Sequence, residues 1–155
     1  WRDSVLFAAG KLDLSGSKSL ELSDPRNFHR TVFARVSRLK LDDLLMQFDY
    51  PDANVHAEKR SVTSTATQKL FMLNSPFMAT QATAFAARVA ADAGESIDAR
   101  VRRAFRLLYS RDPDGEELEL AVDFLGRPDS ISAGLTRWEQ YAQVLLVSNE
   151  AMYVD

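Results

Sequence analysis

Apolar residues recur three and four places apart through the second half of the chain, a spacing that gathers them onto one side of a helix. Between Pro76 and Ala93 the stripe is Met78, Ala82, Phe85, Ala86 and Val89. Pro76 suits a first helical turn, and Gly94 closes the segment. Ser96 is placed to cap a second helix, with Ile97, Val101, Ala104, Phe105 and Leu108 inward. Asp112 and Pro113 read as cap and first-turn residue of a third, which carries Leu118, Ala121, Val122 and Leu125 up to Gly126. A fourth is predicted from Ile131 to Ser148, with Leu135, Trp138, Ala142, Leu145 and Leu146 facing the core. Four amphipathic helices joined by short connections predict a mainly α fold, a helical bundle in the second half of the chain.

The first half is less regular. Arg2 to Ala9 reads as a short helix stopped by Gly10, and the Ser-, Gly- and Pro-containing stretch from Lys11 to Asn27 as an irregular loop. The β-branched and aromatic run Thr31 to Val36 suits at most a short strand, which needs a partner to persist. Leu41, Leu44, Leu45 and Phe48 place a helix over Leu39 to Phe48, ended by Pro51. A polar connection from Pro51 to Thr63 leads to another short helix, Thr67 to Leu73. At the other end, Leu145, Leu146, Met152, Tyr153 and Val154 continue apolar past a helix stop near Asn149, so the tail is expected to dock on the bundle.

With 155 residues and 46% hydrophobic content the chain can bury a sizeable core, and one domain over 1–155 is the default expectation. A start at Trp1 without Met is what a piece of a longer chain would show. The net charge of −3 argues against a uniformly basic surface for nucleic acid. The absence of cysteine removes disulfides, zinc-thiolate sites, covalent haem attachment and cysteine nucleophiles from this segment. No apolar run approaches the roughly 20 residues that span a bilayer, and the N-terminus lacks the order of a signal peptide.

Few residues offer chemistry. His29 and His56 fall in or beside loops and lack the spacing of a metal-binding helix face, so no metal site is expected. Asp112, Asp114, Glu116 and Glu117 sit where a helix begins and oppose the positive end of its dipole. The helix before them is basic: Arg100, Arg102, Arg103 and Arg106, with Arg111 just beyond, form a candidate anion-binding surface, since the guanidinium fork suits carboxylates, phosphates and sulfates. Pairing with the acidic helix, or plain solvation, would occupy the same arginines without a ligand. Hydroxyls at Ser61, Thr63, Ser64, Thr65 and Thr67 lack the glycines of a nucleophile elbow or phosphate loop and read as capping chemistry. Phe71, Phe77, Phe85, Phe105, Trp138 and Tyr141 lie on core stripes, whereas Trp1, Phe48, Tyr50 and Tyr153 are candidates for an interface.

Five stretches in order carry a family likeness: RDSVLFAAGKLDL (Arg2 to Leu14), RLKLDDLLMQFDYPDA (Arg38 to Ala53), RSVTSTATQKLFMLNSPFMATQA (Arg60 to Ala82), FRLLYSRDPDGEELELAVDFL (Phe105 to Leu125) and LLVSNEAMYVD (Leu145 to Asp155). Together they resemble the domain of unknown function 1553, the planctomycete PSD-one domain. The chain departs from that pattern at Ala66 to Leu70, where a Pro-x-Gln-Ala-Leu segment is expected, and in the loop SGSKSLEL after Leu14.

The resemblance implies a C-terminal module of large exported bacterial proteins, placed after other domains that often include a cytochrome-c-like haem module. It supplies no catalytic residues and no cofactor for this segment. Three expectations follow. The first is a non-catalytic structural or interaction role against preceding domains of the same chain. The second is binding, or help in degrading, an anionic or sulfated polysaccharide. The third is an enzyme site shared with the preceding domain, for which the loop residues Asp49, Asp52, His56 and Arg60 are the candidates.

Overall fold

The computed structural model describes residues 1–16, 19–37, 39, 41–48, 50–51, 66–128 and 134–152. Eight helices stand among them: α1 (Arg2–Ala8), α2 (Asp43–Gln47), α3 (Ala66–Asn74), α4 (Pro76–Ala93), α5 (Ile97–Tyr109), α6 (Gly115–Gly126), α7 (Arg137–Leu146) and α8 (Asn149–Met152). The mainly α class expected from the periodicity is the one the molecule adopts.

Helix α4 is the axis of the structure and touches α1, α3, α5 and α7. Its stripe of Met78, Ala82, Phe85 and Val89 is buried, as are Val101, Ala104 and Phe105 of α5 and Ala142, Leu145 and Leu146 of α7. Buried alanines at Ala82, Ala104, Ala121 and Ala142 put one small side chain on each of α4 to α7. Such residues let neighbouring helices approach closely while Phe85, Met78 and Leu146 fill the space between them. Each of those three contributes about 1.5–3 kcal/mol relative to an exposed position. Trp1, Phe71, Phe77, Trp138 and Tyr141 pack around this core, as does Met152 of α8. The apolar tail is therefore docked as far as it is described, and Tyr153 and Val154 lie outside the described residues.

Helix ends obey local chemistry. The Ser96 hydroxyl accepts from the Ala99 amide at the start of α5, as the sequence suggests. The start of α6 needs a correction: its cap is Asp114, in a reciprocal capping box with Glu117, and not Asp112 followed by Pro113. Asp112 turns instead to Arg106. The fourth long helix is also shorter than its apolar pattern. It begins at Arg137 because Thr136 and Glu139 form a second capping box, with Gly134 in a left-handed conformation just before. Val122, counted inward, is 43% exposed on the outer side of α6.

Two further expectations change in the first half. Residues Thr31–Phe33 form a single 3-10 turn and not a strand; no strand partners them among the described residues, and the Thr31 amide donates to Asp3 of α1. Bridge pairing among the described residues here is one isolated parallel bridge, Asp13 with His29. The helix expected over Leu39 to Phe48 shrinks to α2, because Asp42 accepts from the Leu44 amide and sets the start at Asp43. Trp1 and Phe48, read as candidates for an interface, stack on each other at 5.0 Å and pack against the edge of the core.

Candidate functional site

The basic helix α5 projects its arginines outward while Val101, Ala104 and Phe105 face the core, so one amphipathic segment makes both the packing and the charged surface. Each of the three central arginines meets a carboxylate. Arg102 pairs with Asp98 one turn earlier at 2.9 Å, Arg103 with Asp92 of α4 at 2.6 Å, and Arg106 with Asp112 at 2.5 Å. The bond from Arg106 holds the Asp112 carboxyl below the usual carboxylate range. The pairing is thus local and towards α4, and not chiefly across to the acidic helix.

Arg111 is the exception that reaches α6. Its fork grips Glu117 through two bonds of 2.7 Å and Glu150 through bonds of 2.7 and 2.8 Å, tying the start of α6 to α8. The guanidinium also lies over the rings of Phe105 and Tyr109 at 5.3 and 5.7 Å. Hydrogen bonds from Arg111 depress the carboxyls of both glutamates. Beside it the Tyr109 hydroxyl reaches the Leu145 carbonyl at the end of α7 and the Ser148 hydroxyl.

Arg100 stands apart from its neighbours. It donates to the Gly94 carbonyl and lies over the Trp138 ring at 5.7 Å. Arg100, Trp138, Arg127 and Arg137 line a groove of about 490 Å³ with Ala86, Ala90 and Thr136. Arg127 pairs with Asp123, and Arg137 lies over the Phe124 ring at 5.0 Å. Three arginines against an indole can receive an acidic, ring-shaped ligand.

At the opposite end, Arg2 is only 4% exposed. Its Nη1 donates to the His29 carbonyl at 2.9 Å and its Nη2 to the Asn27 carbonyl, so the first helix organises the loop that follows it. Asp3 accepts from both the amide and the hydroxyl of Thr31. Arg88 of α4 donates to the Phe7 and Ala8 carbonyls and thereby caps the C-terminus of α1. Sequence reasoning missed Arg2 and Arg88, because their partners are backbone carbonyls far along the chain, at Asn27 and His29 for Arg2 and at Phe7 and Ala8 for Arg88, which spacing does not reveal.

His29 is half-buried, with Nδ1 3.3 Å from Asp13, which places it within the fold and not in open solvent. The shared-site candidates Asp49, Asp52, His56 and Arg60 lie outside the described residues, as do Ser61, Thr63, Ser64 and Thr65. Among the described residues no group of three or more metal-binding side chains converges, and no helix is long and apolar enough to cross a membrane.

A bundle with carboxylate-matched arginines on one face and an arginine-clamped loop on another defines a class of α-helical domain, and a fold of this class does not by itself specify a reaction. The chain belongs to the PSD1 family, described as a protein of unknown function (DUF1553), whose family model matches residues 1–125. Four of the five resembling stretches fall within that match, and the closing run from Leu145 lies beyond it. No curated protein and no solved structure was found to match the chain.

Proposed function

We propose that the chain is a non-catalytic helical module that packs against other domains of a longer, exported protein. The observation that carries the reading is the set of apolar side chains left outside on the N-terminal part: Phe7, Leu14, Val32, Phe33 and Val36, each at least 40% exposed. Bonds from Arg2 and Asp3 hold α1, the 13/29 bridge and the 31–33 turn together, so these side chains ride on one ordered unit. Single exposed apolar residues are ordinary, but several on one small unit suit the interfaces that join domains. The ion pairs of α5 support a structural role for its arginines. Export enters from the family resemblance. In a longer protein carrying this chain, replacing Phe7 and Phe33 by Ser should leave helicity unchanged and loosen the domain contact, read by limited proteolysis. Robust turnover by the 155-residue chain alone would overturn the reading.

The groove of Arg100, Arg127, Arg137 and Trp138 favours a second reading, binding of an acidic or sulfated polysaccharide. Calorimetric titration with a sulfated glycan at low salt should then show binding that Arg100→Glu abolishes. No heat at low salt would count against it, and loss of binding on Arg102→Glu with Arg106→Glu would move the surface to the outer face of α5.

A further inference from the structure

The run from Pro25 to Leu41 holds Arg26, Arg30, Arg35, Arg38 and Lys40 and no acidic residue. The whole chain is −3, so the residues outside this run carry −8 against its +5. The positive charge is interleaved with exposed apolar side chains: Val32 is 71% exposed, Phe33 45%, Val36 40% and Leu39 100%. What the molecule offers these cations differs from one to the next. Arg26 is held through both oxygens of Asp24 at 3.1 and 3.0 Å. Arg30 and Arg35, with side chains 55% and 66% exposed, come only within 3.7 Å of Asp3 and Glu21, and neither guanidinium makes a hydrogen bond among the described residues. Asp3 is already engaged by the amide and hydroxyl of Thr31, and the Glu21 side chain is itself 59% exposed. Exposed pairs without hydrogen bonds hold little, so both forks keep their donors for a partner.

We propose that this face docks on an acidic surface of another domain of the longer protein, where carboxylates meet Arg30 and Arg35 around an apolar centre that receives Val32, Phe33 and Val36. The proposal rests on the reading of the N-terminal unit as a docking face and names the chemistry of what that face meets. Apolar side chains within a charged rim are the anatomy of a protein interface, and the guanidinium fork matches a carboxylate with two bonds. A nucleic-acid backbone has no apolar counterpart for Val32, Phe33 and Val36, and the −8 carried by the rest of the chain repels phosphate polymers and anionic bilayers alike. The two arginines also select the partner, since a basic surface opposite them is rejected by like charge.

The test compares amide exchange at 31–36 in the longer protein and in its double variant Arg30→Glu with Arg35→Glu. Reversing both charges should speed exchange there by about fivefold or more, and Arg30→Lys with Arg35→Lys, which keeps the charge and gives up the fork, should cost less. The reversed 155-residue chain alone should exchange as the unchanged chain does, which separates lost docking from lost folding. Carbodiimide treatment of the longer protein carrying Arg35→Lys should join the amine at position 35 to a carboxylate outside the 155 residues, a readout that stands even if the reversed variant does not fold. Cross-links to Glu21 alone would overturn the acidic partner. So would exchange that the charge reversal leaves unchanged while Phe7→Ser with Phe33→Ser speeds it, a result that keeps the docking face. If neither pair of substitutions changes exchange, both readings fail. Binding of the 155-residue chain to vesicles of equal phosphatidylserine and phosphatidylcholine would place the face on lipid and overturn the proposal as well.

Discussion

Replacing Arg111 by Leu removes a side chain that joins the end of α5 to both α6 and α8. Four charge-assisted bonds of 2.7–2.8 Å to Glu117 and Glu150 are lost, together with the contacts over Phe105 and Tyr109. The Arg111 side chain is 39% exposed and its partners 31% and 46%, so each pair is screened by solvent. At about 0.2–1 kcal/mol per pair, and about 0.5 kcal/mol or more for the ring contact, the loss comes to about 1–2 kcal/mol. In a chain of this size that lowers Tm by about 2–8 °C. The pH dependence is the sharper test. Both glutamate carboxyls are depressed in the folded state, so their stabilisation is complete above the unfolded value near 4.3. It is lost as pH falls through the lower folded values. The gap between wild type and Arg111→Leu should therefore be full at neutral pH and close progressively below about pH 4. Thermal melts from pH 7 to pH 3, with amide exchange over 149–152, make the measurement. Equal stabilities at pH 7, or a gap that does not change with pH, would refute the reasoning.

Three other outcomes are expected. Phe85, 1% exposed at the centre of α4, should cost about 3–5 kcal/mol as Phe85→Ala, read as a lower urea midpoint with unchanged slope. Gly10 has φ +69° and a Cβ there would lie 3.4 Å from Arg88 Cδ, so Gly10→Ala should destabilise by about 1–2 kcal/mol in the same assay. Thr136→Ala breaks the capping box of α7 and should cost about 1 kcal/mol, with faster amide exchange at residues 137–139.

Periodicity exposed the core and little else. The stripes of α4 and α5 were readable because burial on one side and solvent on the other repeat with the turn of the helix, and Ser96 was readable because capping is local in sequence. Where two caps competed, as at Asp112 and Asp114, only the fold decides: Asp112 is drawn to Arg106 and leaves Asp114 to start α6. The apparent strand at Thr31 failed for a related reason, since β propensity needs a partner and Thr31 found Asp3 of α1 instead. The arginines of α5 were legible as a basic face. Which carboxylate each meets depends on contacts such as Arg103 with Asp92, which chain spacing does not reveal. Arg2 was invisible for the same reason: its importance comes from burial and from the carbonyls of Asn27 and His29, which lie far along the chain.

The central claim is that the N-terminal unit is a docking face of a non-catalytic module. Hydrogen–deuterium exchange of the 155-residue chain, compared with the same residues in a longer protein that contains it, tests this most directly. The docking account expects slower exchange in the longer protein around Phe7, Leu14 and 31–36, with α4 to α7 unchanged. Equal exchange at those positions in both proteins would contradict it.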